Sequence, residues 1–276
     1  MLRSIFLSFS LAIFSCETKD APRYKPFPLK ERSEARVFFI GHSLVSFEKE
    51  LQELAKFGGV SLFIAKQSIG GSSLKNHWLN PQKSESLQAT QELSKGNYDT
   101  LILTERVLPL SYSIEQENSA EYASKFANLA RSHKQDIRVY VYETWHSLTL
   151  RAKWYQFWKT DWRKRLHLDV AQWQKIADEA GSPERAAPVI PVGQAVARIY
   201  DLIKQGEKTP LSSIDALFSD TIHLGPVGNY LVACVHYSML FGKSPIGHKP
   251  EGISPELAQF LQTIAWETVS ETSLAK

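Results

Sequence analysis

Arg36-Val37-Phe38-Phe39-Ile40-Gly41-His42-Ser43-Leu44 is a short apolar, β-rich run that stops at a glycine and turns polar. It leads into a stretch with Phe47, Leu51, Leu54 and Phe57 at helical spacing. The same alternation continues along the chain. Val60–Ala65, Thr100–Leu103, Ile137–Tyr142 and Val189–Pro191 are further strand candidates. Helical patterns stand between and after them, over residues 85–95, 118–133, 162–180, 193–206, 226–241 and 255–270. Strands that are apolar throughout have no solvent face, so they belong in a parallel sheet covered by helices on both sides. The expectation is one α/β domain, a three-layer α/β/α sandwich on a five-stranded parallel sheet.

The balance of residues agrees. Of 276 residues, 43% are hydrophobic and 22% charged, as in an ordinary globular domain. Net charge is only +3, and the longest basic tract is Arg163-Lys164-Arg165, so nucleic acid is not an expected partner. Eight histidines include no His-x-x-x-His pair, and neither Cys-x-x-Cys nor a glycine-rich nucleotide loop occurs. No metal or cofactor is expected. Seven Trp and ten Tyr suit a carbohydrate- or ester-binding cleft and equally a thick core.

The amino terminus reads differently from the rest. Arg3 precedes an apolar run, Ile5 to Phe14, that ends at Ser15-Cys16. That is the layout of an export signal, and it is too short to span a bilayer. Ile13-Phe14-Ser15-Cys16 resembles a bacterial lipobox with Phe14 at a position that usually holds a small residue. The expectation is lipidation at Cys16 and anchorage in the cell envelope, with Glu17 favouring the outer membrane; the alternative is a plain signal peptide. Residues 17–34, with Pro22, Pro26 and Pro28, read as a tether, residues 35–272 as the domain, and residues 146–185 as an insertion or cap. Cys234 lies in an apolar helical pattern and reads as a core residue.

Functional residues of an open parallel sheet collect at the carboxyl ends of its strands. Ser43 falls there, expected just past the first strand at a helix start, although an N-cap serine would look the same. Asp220 and His223 stand three apart ahead of a helix, close enough for the carboxylate to fix the imidazole tautomer that a general base needs.

Gly41-His42-Ser43-Leu44 after the first strand, Ser68-Ile69-Gly70-Gly71-Ser72-Ser73-Leu74 after the second, and Asp220-Thr221-Ile222-His223-Leu224 with the following Gly-x-x-Gly-x-Tyr resemble the SGNH/GDSL hydrolase superfamily. The likeness spans residues 36–245 and implies a flavodoxin-like sandwich carrying a serine esterase or carbohydrate deacetylase site. It implies Ser43 as nucleophile, His223 as base, Asp220 as its orienting partner, and the N–H groups of Ser43 and Gly71 as oxyanion donors.

The chain departs from that pattern at two places. His42 stands where the family usually has Asp. After the third strand, Leu103-Thr104-Glu105-Arg106 lacks the family's oxyanion-binding Asn, so either Glu105 and Arg106 form a different polar wall or that donor is missing. Glu105, Arg106 and Trp145 are the expected substrate contacts, Trp145 as a flat platform beside His146 or else as a core residue. The expected activity is release of a short acyl group, such as O-acetyl, from a glycan. An acyltransferase on the same triad and a non-catalytic glycan-binding lipoprotein are the alternatives; oligomeric state is left open.

Overall fold

The computed structural model describes residues 24–106, 110–149 and 161–273. Five strands form the sheet: β1 (Glu34–Gly41), β2 (Ser61–Ser68), β3 (Thr100–Leu103), β4 (Arg138–Tyr142) and β5 (Val189–Ile190). All pair in parallel, in the order β2-β1-β3-β4-β5. The chain therefore steps outward from β1 to β2, returns across β1 to β3, and continues to β5. This is the flavodoxin-like order, and its crevice lies between the carboxyl ends of β1 and β3.

Successive residues of a strand point to opposite faces, and here the two faces are two separate cores. Val37, Phe39, Ile102, Tyr140, Tyr142 and Ile190 enter one core. Phe38, Ile40, Leu101, Leu103, Val139, Val141 and Val189 enter the other. Nine helices among the described residues cover the sheet: α1 (Glu48–Phe57), α2 (Leu74–Leu79), α3 (Ala89–Leu93), α4 (Leu110–Gln116), α5 (Ser119–His133), α6 (Trp162–Ala180), α7 (Val192–Lys204), α8 (Pro226–Phe241) and α9 (Pro255–Ser273). Helices α1, α7, α8 and α9 line the first core, and α3, α5 and most of α6 the second. Helix α8 is buried all round from Tyr230 to Phe241, Cys234 included, which is why its sequence has no polar stripe.

Several boundaries differ from the sequence reading. The tether does not reach residue 34: Tyr24 and Phe27 are buried, Lys25 pairs with Asp178 at 2.8 Å, and Arg32 with Asp99 at 2.7 Å. Two aromatic side chains among the prolines had a core to enter, so the segment from Tyr24 onward belongs to the domain. Nor is 146–185 an insertion throughout. Helix α6 is the crossover between β4 and β5, with Val170, Trp173 and Ile176 in the second core. Of the expected helix over 85–95 only α3 is helical. Glu85 and Leu87 instead donate to Ser68 O and Lys66 O, at 3.1 and 3.2 Å, along the edge of β2. The export signal, Cys16 and Trp154–Trp158 lie outside the described residues. Among the described residues no helix is long and apolar enough to cross a membrane.

Gly41 ends β1 because nothing larger fits. A Cβ there would sit 2.6 Å from Thr104 Cγ2 and 2.8 Å from Val45 Cγ2, both on stiff β-branched side chains. Gly41→Ala should lower unfolding stability by about 1–3 kcal/mol, measured as a fall in the urea midpoint with unchanged slope. An unshifted midpoint would mean that this turn can open at no cost.

Candidate active site

The turn after β1 is built around His42. Its ring is buried, with Nε2 3.0 Å from Glu105 O and Nδ1 3.4 Å from Leu44 N. A carbonyl only accepts and an N–H only donates, so the proton is on Nε2. Burial lowers the basicity of this ring and keeps it neutral. Val45 N donates to His42 O at 2.9 Å and closes the turn. Ser43 is left exposed between buried His42 and Leu44. Helix α1 begins only at Glu48, so Ser43 is at the corner of a turn and not at a helix start, a correction to the sequence reading.

The loop after β2 lies alongside, since Ile69 N donates to Gly41 O at 3.2 Å. Gly71 has φ +59°, a left-handed conformation that disfavours any side chain. Ser73 Oγ then caps α2 by accepting from Asn76 N at 3.3 Å. The N–H groups of Ser43 and Gly71 have no hydrogen-bond partner among the described residues.

The third component is the loop before α8. An antiparallel bridge between Phe218 and Leu224 closes it, and Ser219 N donates to His223 O at 2.8 Å. Inside, Asp220 Oδ1 accepts the N–H groups of Ile222 and His223, each at 2.7 Å. Oδ2 lies 2.7 Å from His223 Nδ1, and Nε2 of the same ring lies 2.9 Å from Ser43 Oγ. The two backbone N–H groups and the imidazole hold the Asp220 carboxyl down at about 2, so it is ionised at neutral pH. An ionised carboxylate only accepts, so Nδ1 carries a proton, and in the neutral ring the Nε2 lone pair faces the serine hydroxyl. The structure thus brings together residues 43, 220 and 223 in one hydrogen-bonded line.

The other expected contacts are placed elsewhere. Glu105 is fully buried; its carboxylate accepts from Leu74 N at 3.2 Å and from Arg106 N at 2.8 Å. It joins the β2 and β3 loops and does not line a substrate wall. Arg106 pairs with Glu117, at the junction of α4 and α5. Trp145 is no open platform either. It is 2% exposed, and its indole N–H donates to Ile222 O at 2.7 Å. His146 pairs with Asp169 on α6 and is largely enclosed. These placements have one cause: a polar group near the interior must find a partner, and each found one within the protein. Among the described residues no three His, Cys, Asp or Glu side chains cluster as a metal site would require.

No protein-family model and no curated protein matches the sequence. Among solved structures, a DUF4886 family protein from Bacteroides uniformis superposes with a TM-score of 0.70 at 21% identity, over 88% of this chain and 97% of that one. A candidate GDSL-like lipase from Parabacteroides merdae covers 79% of this chain and 99% of its own at 11% identity, TM-score 0.49. A family 3 carbohydrate esterase from Clostridium thermocellum covers 76% and 96% at 10% identity, TM-score 0.48. The first establishes a shared fold.

Two buried carboxyls tie this edge of the sheet together and make stability pH-dependent. Burial pushes Glu105 up to about 7. Glu143, at the exit of β4, is pushed up to about 8, also by burial, although it accepts from Gln194 Nε2 at 2.6 Å and Gln194 N at 3.2 Å. An unfolded glutamate ionises near 4.3, so between about pH 4.5 and 8 the folded chain holds protons that the unfolded chain has released. The buried rings of His42, His77 and His236, whose basicity burial lowers, act the other way below about pH 6.5. There the unfolded chain takes up protons that the folded chain does not, so the net fall in stability with rising pH belongs to about pH 6.5–8. Glu143→Gln should remove the part of the fall between about pH 7 and 8, where Glu105 no longer contributes. The check is the urea midpoint against pH; an identical slope in the variant would show Glu143 already ionised when folded.

Proposed function

We propose that this chain is a serine hydrolase of the SGNH/GDSL kind that cleaves an ester through an acyl-enzyme, with Ser43 as nucleophile, His223 as base and Asp220 as its partner. One observation carries the reading: the unbroken hydrogen-bonded line from the Asp220 carboxylate through His223 to the exposed Ser43 hydroxyl. Ser43 Oγ attacks the acyl carbon while its proton passes to Nε2. Asp220 stabilises the imidazolium that forms. The carbonyl oxygen becomes an oxyanion beside two free backbone N–H groups, those of Ser43 and Gly71. As the ester C–O bond breaks, the imidazolium protonates the leaving alcohol. Water then repeats the sequence on the acyl-enzyme, giving the acid and free Ser43.

No asparagine follows β3 in Leu103-Thr104-Glu105-Arg106, so in this reading the amides of Ser43 and Gly71 carry that charge. The favoured substrate is a short acyl ester, such as O-acetyl, on a glycan. The side chains of His223 and Asp220 are 43% and 55% exposed, which leaves room for a bulky alcohol on the leaving side.

The protein should release p-nitrophenol from p-nitrophenyl acetate and react with a fluorophosphonate probe at Ser43. Ser43→Ala should reduce kcat by a factor on the order of 10⁴–10⁶ and abolish labelling. Its melting temperature should stay unchanged, because the side chain is solvent-facing. Full activity in that variant would end the assignment. An acyl-enzyme that forms but turns over only with an added glycan acceptor would identify acyl transfer in place of hydrolysis.

The same proposal places the protein in the bacterial envelope, anchored by lipid at Cys16. The support is the sequence pattern of Arg3, the apolar run and Ser15-Cys16. In a Gram-negative host the full chain should enter the membrane fraction and incorporate labelled palmitate, and Cys16→Ser should stop both. A periplasmic product with Cys16 intact and unlabelled would identify a plain signal peptide.

A further inference from the structure

The bonds within the loop Phe218–Leu224 fix His223 to Asp220, but none of them fixes His223 to Ser43. The nucleophile is on the exit of β1, and the base is on a separate loop 180 residues later. Something must set the gap between them.

The exit of β4 touches both sides. On one side, Tyr142 donates from its hydroxyl to Leu44 O at 3.2 Å, one residue after Ser43. On the other, Trp145 donates from its indole to Ile222 O at 2.7 Å, one residue before His223, and Leu148 N donates to Thr221 O at 2.8 Å. Tyr142 and Trp145 are among the largest fully enclosed side chains. Tyr142 is held again by Thr104 Oγ1, which donates to its carbonyl at 2.9 Å. Trp145 meets Phe218, where the loop begins, edge to face with ring centres 6.3 Å apart.

We infer that Trp145 is a positioning residue for the base: with Tyr142 it forms a gauge that sets the distance from His223 Nε2 to Ser43 Oγ. The inference rests on the hydrolase reading for its catalytic consequence, but not for its geometry. A loose loop would carry Asp220 and His223 away together, since their mutual bonds are internal to it. The imidazole would then keep its bond to Asp220 and lose only its aim at Ser43. A displacement on the order of 1 Å costs up to about 100-fold in rate.

The test uses the full-length protein with Trp145→Phe. Phenylalanine keeps most of the ring and deletes the donor. A second variant carries β-(3-benzothienyl)alanine at position 145, which keeps the indole shape and lacks the N–H; it serves if the first does not fold. Expected for the folded variant is a fall in kcat of about ten- to a hundredfold, with KM within about twofold and the pH at half-maximal kcat unmoved. Nitrogen-15 histidine spectra provide a readout independent of activity. The Nε2 signal of His223 should move toward its position in Ser43→Ala, while Nδ1, still bonded to Asp220, should stay. Unchanged kcat and unchanged Nε2 in a folded variant would overturn the inference, even if stability fell. Should Nε2 move while Ser43→Ala proves fully active, the gauge would stand and the hydrolase reading would fail.

Discussion

Burial of the sheet on both faces is the constraint on which the rest depends. Val37 to Ile40 and all of β3 have no solvent face, so no polar chemistry can be mounted along those strands. It gathers where the strands stop. At their carboxyl ends the backbone must leave a fully apolar environment within two or three residues. The buried polar groups there must find partners at once, or their desolvation would cost several kcal/mol. His42, Thr104, Glu105, Glu143 and Trp145 all stand one to three residues past a strand end, and each bonds to a different segment of the chain. The edge is therefore a mesh of cross-links in which Ser43 is the exposed point.

How much of this was legible in the sequence divides along physical lines. The strands were readable because an apolar run bounded by polar residues has few other fates, and all five lie near their expected positions. Asp220 and His223 could be paired because a loop with Asp three before His folds back on itself, whereas Ser43, 180 residues from His223, was joined to them only by the resemblance of its motif to a known family. What escaped depends on partners distant in sequence. Nothing around Trp145 says that its indole meets a carbonyl 77 residues away. Short helices such as α2 and α4 carry too little periodicity to register. Tyr24 and Phe27 were misjudged for the opposite reason, as prolines and charges around them masked two residues with a core to enter.

After β3 the chain has Glu105 where the resemblance noted from the sequence implies an asparagine. An asparagine after β3 would present an amide toward an anion. Glu105 instead accepts N–H groups from Leu74 and Arg106, and its carbonyl accepts from His42. A carboxylate in that place would repel an oxyanion if it faced one, and its burial removes the conflict. The residue thus ties the β1, β2 and β3 exits together at one point. Arg106, the next residue, is held by Glu117.

The loop that closes on itself between Phe218 and Leu224 has a further consequence for heat tolerance. Global melting requires both cores to come apart, whereas a shift of the loop carrying Asp220 and His223 breaks two hydrogen bonds from the β4 exit and the contacts of Phe218, Ile222 and Leu224 with the first core. Openings of that size occur well below the free energy of complete unfolding. The alignment of His223 with Ser43 and the integrity of the fold are then two separate thermal quantities. On warming, the first would soften while calorimetry still recorded a native protein, and cooling would restore it without any refolding step.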